Sequence, residues 1–524
     1  MLRRTALAAA LLSVLAGCGG SSGGTGTTSN GNGSESNNQD NSTETTTVAK
    51  REWQKEVLLS SPTRDATLPV IQLQNENGSA VLYSAWVEEA NNGKPDELYA
   101  SVAPIEDYVN GNVPNKVKIS ADIGEILRSD WQPFIVDENH YKSSVQMSLS
   151  NHGNAYITWV QRDNSNNQKL NVSYYDATTQ EWSPPLEVDH VLMTDAAATN
   201  EESRVKITDN TLFTDPSGQS IVIWQTPIFG SDTNALEIAW LSNDGTKANI
   251  IATTELSRNI KTNSDGEVKS AISIHSVETS PGVLEILSIE KGADDENDVL
   301  AKHTVKLGPL NTPIVERSVI DDNGVKSGLA SINTNLTSYA LWSESRGSGS
   351  SDLIGVTWRS DNSGYSPISG IPNISADAGQ ASLTSTNGDV HAVWRQRDNV
   401  VGNTIRTEKL MFATLQQSIA SNVIELNSNG AIYPRLFSGN DDKLYTTWNG
   451  EYFHIKEAYI ESGDIHWQET YRPSCDPTTA IDDLLCGLGV RERYSAMVDG
   501  DYGAMSWLKD VNGTKSVFIS ISTN

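Results

Sequence analysis

Gly153-Asn154-Ala155-Tyr156-Ile157-Thr158-Trp159 is a turn followed by an alternating run that ends in an indole. Its near-copy, Asn387-Gly388-Asp389-Val390-His391-Ala392-Val393-Trp394, stands far downstream. Alternation at period 2 after a turn marks the returning strand of a hairpin. Similar runs end at Trp86, Trp224, Trp342, Trp448 and Trp507, several of them after turn-rich spots such as Asn77-Gly78, Ser217-Gly218 and Asp499-Gly500. A short strand precedes the turn, as in Ser143–Ser150 or Gln380–Thr384. After the Trp comes a polar loop and a third strand, as in Leu170–Tyr175 or Leu236–Trp240. Several copies close with an aromatic-bearing fourth piece, such as Glu181-Trp182-Ser183-Pro184 or Ile465-His466-Trp467.

From Trp86 to Trp507 the indoles are spaced by 73, 65, 118, 52, 54 and 59 residues. The long gap holds a copy without Trp, Gly282–Ile289, with Ser288 at the indole position. Each copy has room for four strands of roughly 5–6 residues plus turns. Four-stranded units repeated around an axis make a β-propeller. The expected fold is therefore all-β, a propeller of about eight four-stranded blades (seven is the alternative count) over residues 51–524. A β-sandwich array would explain the alternation, but not one aromatic at one place in every unit. The recurrent Trp is expected to fill the space between blades rather than to stack a ligand. At Ser288 neighbouring side chains must fill that space. The segment Trp53–Leu59 is expected to complete the final blade.

The N-terminus reads as an address. Arg3 and Arg4 precede a short apolar run, and Leu15-Ala16-Gly17-Cys18 follows. The run is too short to span a bilayer core, which needs roughly 20 residues. Its pattern is that of a secretion signal over 1–17. The tetrapeptide resembles the lipobox of bacterial lipoproteins, which implies cleavage before Cys18 and acylation of that residue. With Gly19 and no Asp next to it, the same resemblance implies sorting to the outer membrane, on a face left open. Residues 18–50 are nearly all Gly, Ser, Thr, Asn, Gln and Glu, a composition that cannot offset the entropy of ordering and reads as a tether. Only Cys475 and Cys486 remain, and in an oxidising compartment they are expected to form one disulfide.

Several segments are similar to the Asp-box hairpins of the sialidase-like propeller superfamily: Tyr174-Tyr175-Asp176 through Trp182-Ser183-Pro184, Ser242-Asn243-Asp244-Gly245, and Ser360–Pro367 with Asp361 and Gly364. None has the full spacing of Ser, Asp, Gly and Trp. That resemblance implies an Arg clamp on a substrate carboxylate and a Tyr–Glu nucleophile pair. Arg64, Arg204, Arg435 and Arg493 lie in or near strands that precede a Trp strand, and are candidates for anion binding in the channel. Tyr494 and Glu492 are the catalytic candidates under the enzyme reading. The family's opening Arg-Ile-Pro is absent; Arg64 is followed by Asp65-Ala66-Thr67.

Composition excludes some classes. With 38 basic and 66 acidic residues the net charge is -28, which argues against a nucleic-acid binder. There is no phosphate-cradling Gly-rich loop, no Gly-x-Ser-x-Gly elbow and no His-Glu-x-x-His run. No cofactor is expected, although Asp294-Asp295-Glu296-Asn297-Asp298 and Asp321-Asp322-Asn323-Gly324 carry enough oxygens to hold calcium. The run Trp159-Val160-Gln161-Arg162-Asp163 recurs as Trp394-Arg395-Gln396-Arg397-Asp398, placing polar loops at one end of the propeller, where binding surfaces commonly form. The functional expectation is an anchored envelope propeller that binds or scaffolds a protein or glycan. A sialidase-like hydrolase acting on an anionic glycan is the alternative.

Overall fold

A computed structural model describes most residues between Glu52 and Thr523. The undescribed stretches include 1–51, 128–144, 192–206, 262–271, 399–406, 450–454 and 467–494, together with several shorter turns. Strand pairing among the described residues falls into eight successive antiparallel units. The first joins Ala66–Glu76, Ser79–Glu88, Glu97–Pro104 and Val117–Lys118. The second runs Gln146–Leu149, Ala155–Arg162 and Gln168–Asp176, with Glu181–Trp182 and Leu186–Val191 sharing its outer edge. The third is Thr208–Thr214, Ser220–Pro227, Thr233–Asn243 and Ala248–Lys261; the fourth is Ile272–Ser276, Val283–Lys291, Asp298–Leu307 and Pro313–Asp321. A single bridge, Ile260 to Glu290, fuses these two into one sheet. The fifth to seventh units begin at Val325–Thr334, Asp377–Thr386 and Ile432–Ser438. The eighth comprises Ser495–Asp499, Tyr502–Val511 and Thr514–Thr523. This is a β-propeller, with the first strand of each unit on the inner ring.

The N-terminal segment closes the eighth unit. Glu52–Trp53 and Val57–Leu58 pair antiparallel with Thr514–Thr523, setting Trp53 opposite Ser522 and Val57 opposite Ile519. The backbone N–H of Gln54 donates to Ile521 at 2.7 Å. Gln54→Pro removes that donor from the closing strand and is expected to cost about 1–2 kcal/mol, whereas Gln54→Ala is neutral. Equal denaturation midpoints for the two variants would show that the strand does not lock the ring.

The repeated residues sit where the alternation put them. Trp86, Trp159, Trp224, Ser288, Trp342, Trp394, Trp448 and Trp507 all lie on the second strand of their units and all are buried. Each Trp packs toward the preceding unit: Trp159 shares a core with Val87, Leu98 and Ala100, and Trp394 with Leu341 and Leu353. Three residues earlier, on the opposite face, four units carry Tyr83, Tyr156, Tyr339 and Tyr445. An odd offset reverses the face of a strand, so these rings look toward the following unit. There the hydroxyl of Tyr83 donates to the Gly153 carbonyl at 2.7 Å, and that of Tyr339 accepts from the Gln417 N–H at 3.2 Å. Tyr-x-x-Trp is thus a two-sided fastener.

In five units the inner strand bulges opposite the indole. Thr67 pairs with Val87 and Val70 with Ala85, so two backbone positions, 68 and 69, stand opposite the single position of Trp86. The same shift occurs between Thr208 and Thr211, Ser327 and Ala330, Gly379 and Ser382, and Ile432 and Arg435. Pro69 and Pro434 are tolerated because a bulged residue need not donate to the ladder.

Strand direction assigns the two ends different work. The connections from second to third strands, and from one unit to the next, all leave at the Trp end. The opposite end carries the hairpins between first and second strands and the third-to-fourth links, of which that of the first unit holds a short helix, Ile105–Val109.

Candidate functional site

The inner strands define a ring of equivalent positions, each paired with the residue just before the Trp or its Ser288 equivalent. Around the ring these are Val70, Gln146, Thr211, Ser273, Ala330, Ser382, Arg435 and Ser495. Seven are half-buried and uncharged; Arg435 is exposed and is the one charged member. The serines have a structural task. Ser495 Oγ accepts from the Ile71 N–H at 3.3 Å, and Ser382 Oγ accepts from the Leu436 N–H at 3.1 Å. Each satisfies an open-edge N–H of the following unit, a group that would otherwise lack a partner. Ser148 Oγ donating to Thr214 Oγ1 at 2.9 Å and Gln72 Nε2 donating to the Met147 carbonyl at 3.1 Å extend the stitching. A guanidinium has no acceptor, so Arg435 cannot do what Ser382 and Ser495 do. It is the departure from the repeat.

Arg64 has a different fate from that expected of a channel residue. Its Nε donates to the Glu89 carbonyl at 3.0 Å, its Nη2 donates to the carbonyls of Glu88, Glu89 and Pro95, and its Nη1 pairs with Glu97. It clamps the loop of its own unit, with most of its donors engaged there. Burial would raise the Glu97 carboxyl, but hydrogen bonds from Lys118, Arg64 and Tyr99 outweigh it and bring the group down to about 2. Cys18, Arg204, Cys475, Cys486, Glu492, Arg493 and Tyr494 lie outside the described residues.

The acidic loop at Asp321 supplies its own cation. Lys326 is fully buried, with Nζ 2.7 Å from Asp321 Oδ2 and 3.1 Å from the Asp298 carbonyl, and it also donates to the Asn323 carbonyl. An ammonium therefore sits where the oxygen pattern suggested calcium. Among the described residues no His, Cys, Asp and Glu group is arranged to hold a metal ion. The recurrent Gln-Arg-Asp loop is likewise self-contained in the second unit. Asp163 accepts from the Ser165 and Asn167 N–H groups at 2.8 and 2.9 Å, and Arg162 pairs with Glu125.

The unit without Trp is where the polar chemistry gathers. Ser288 Oγ lies 3.0 Å from His303 Nε2, and His303 is fully buried beside it. Glu290 accepts from Arg317 Nη2 at 2.6 Å and lies 3.3 Å from His303 Nε2. On the other face Glu285 takes the position that holds Tyr in four other units. It accepts from Ser338 Oγ at 2.8 Å, Trp358 Nε1 at 3.0 Å and Lys302 Nζ at 3.1 Å, and it lies 2.9 Å from His275 Nε2. Burial pushes both carboxyls up, but their partners win and hold each at about 2: His275, Lys302 and Ser338 for Glu285, and His303 and Arg317 for Glu290. Sequence reading marked Ser288 as an oddity but missed these networks. The signal was there: Glu285 and Ser288 replace both members of the Tyr-x-x-Trp fastener.

No protein-family model matches the chain, and no curated protein matches it in sequence. Among solved structures it is similar to the alpha-L-arabinanase of Penicillium chrysogenum complexed with arabinobiose, at 12% identity over 61% of this chain and 95% of that one, with a TM-score of 0.36. It is also similar to polysaccharide lyase Uly1, at 9% identity over 74% of this chain and 93% of that one, with a TM-score of 0.46. A Trypanosoma rangeli sialidase in complex with the inhibitor DANA shares 10% identity over 60% of this chain and 55% of that one, with a TM-score of 0.35.

Proposed function

We propose that this protein is a lipid-anchored propeller of the bacterial outer membrane that binds an anionic glycan in its channel, with Arg435 reading the negative group. One observation carries the reading: a single exposed guanidinium interrupts a ring of neutral hydroxyl, amide and small side chains. A polyhydroxylated ligand with one carboxylate matches that wall. Its hydroxyls meet Ser, Thr and Gln, and its carboxylate meets a planar fork of donors. The net charge of -28 disfavours polyanions and leaves a ligand with few charges as the better fit.

Binding of acidic and neutral oligosaccharides of the same length, measured by calorimetry on the purified protein, tests this. Arg435→Ala is expected to weaken the acidic ligand by about 1.5–3 kcal/mol, roughly 10- to 150-fold, and to leave neutral ligands unaffected. Equal affinities in wild type and variant would reject Arg435 as the reader.

The anchoring half of the proposal rests on Leu15-Ala16-Gly17-Cys18. Cys18→Ser is expected to abolish acylation and release the protein from the membrane fraction. Unchanged fractionation would reject the lipoprotein assignment.

A second reading, a hydrolase acting on the same glycan, is favoured by one sequence fact. Glu492-Arg493-Tyr494 immediately precedes Ser495, the ring residue of the unit that follows Arg435. Release of a free sugar acid during the binding experiment would decide for the enzyme.

A further inference from the structure

The fourth and fifth units meet on the channel wall through a line of four polar groups. Ser273, the fourth unit's ring residue, and Ser331, on the fifth unit's inner strand, are both half-buried. The Ser331 proton has two acceptors within reach: Ser273 Oγ at 2.8 Å and His275 Nδ1 at 2.9 Å. The other ring nitrogen of His275, Nε2, lies 2.9 Å from Glu285 Oε2. Glu285 is itself fixed by Ser338, Trp358 and Lys302, and its side chain is 3% exposed. A carboxylate so held keeps the proton on Nε2 and leaves the Nδ1 lone pair facing Ser331.

The arrangement of hydroxyl, imidazole and carboxylate within hydrogen-bond reach of one another is the geometry of an activated nucleophile. The setting argues for more than packing. Where four other units bury a Tyr, this unit buries an anion, and it has also given up the indole three residues later. A tyrosine ring would hold this seam without charge. The network keeps its one accessible end, the serine pair, at the level of the ring that carries Arg435.

We infer that Ser331 is a nucleophile for acyl transfer, with His275 as its general base and Glu285 as the positioning residue that orients the imidazole, acting on a carboxylic ester small enough to enter the channel. Ser331 Oγ attacks the ester carbonyl carbon, its proton passes to His275 Nδ1, and the carbonyl electron pair moves onto oxygen. Collapse of this adduct expels the alcohol, which takes the proton from Nδ1. Water then attacks the acyl-Ser331 carbonyl, delivers its proton through His275, and releases the carboxylic acid and the free serine.

An alkyl fluorophosphonate, incubated with the intact purified protein and followed by peptide mass mapping, tests the inference directly. The expected result is a single adduct on Ser331, absent in Ser331→Ala, with labelling of His275→Gln slower by roughly 10²- to 10⁴-fold. In the wild type the labelling rate is expected to rise with pH, as general-base assistance requires. This measurement stands even where His275→Gln does not fold. No adduct on Ser331, or a labelling rate that neither pH nor His275→Gln changes, would overturn the assignment and leave the four groups as a lock between blades.

Discussion

Trp394→Ala is expected to cost about 3–5 kcal/mol, among the largest effects of any single truncation in the ring. The indole is 1% exposed and shares its core with Tyr339, Leu341 and Leu353 of the preceding unit. Those residues belong to a different sheet and cannot collapse into the void without moving a whole blade, so the cavity term adds to the lost transfer energy. Urea denaturation of the variant measures it. Glycan affinity should be unchanged once folded protein is compared with folded protein. A midpoint near that of the wild type, together with lost binding, would instead make the Trp a ligand platform and contradict its burial.

Glu285→Ala is the second large effect. The substitution leaves Lys302 and His275 facing a buried seam without their anion. Breaking a buried pair from one side costs about 3–5 kcal/mol. The pH dependence has a definite sign. The native Glu285 carboxyl lies at about 2, against 4.5 for an unperturbed Glu. Its contribution is full above 4.5 and is lost as pH falls from there through about 2. The stability gap between wild type and variant should therefore be wide at pH 7 and much narrower at pH 3. Glu290, held down by His303 and Arg317, acts with the same sign on the other face of that strand. A gap that does not narrow on acidification would show that Glu285 is not the charged hub of the seam.

Much of the architecture was legible because it is periodic. Alternation around each Trp located the second strands, the spacings located the units, and Ser288 marked the copy that differs. Trp53–Leu59 was legible as the closing segment because a ring needs its ends to meet, and the structure pairs Trp53 and Val57 with the last strand. The polar site was less legible. Arg64 and Arg435 look alike in sequence, each just ahead of a Trp strand. One is folded onto the carbonyls of its own loop, and the other stands free of the ring's hydrogen-bond stitching.

The sequence by itself determined which residues lie on which strand and which face each side chain takes, because a strand has a period of two and a repeat carries one pattern through every copy. Only the tertiary structure decided which groups from different strands meet. The bulge opposite the indole in five units, the serines that cap the next blade's open edge, and the path from Ser331 through His275 to Glu285 all join residues on separate strands or separate units. Such contacts depend on how far one strand is shifted against another and how each blade is turned against its neighbour. Local pattern carries neither quantity.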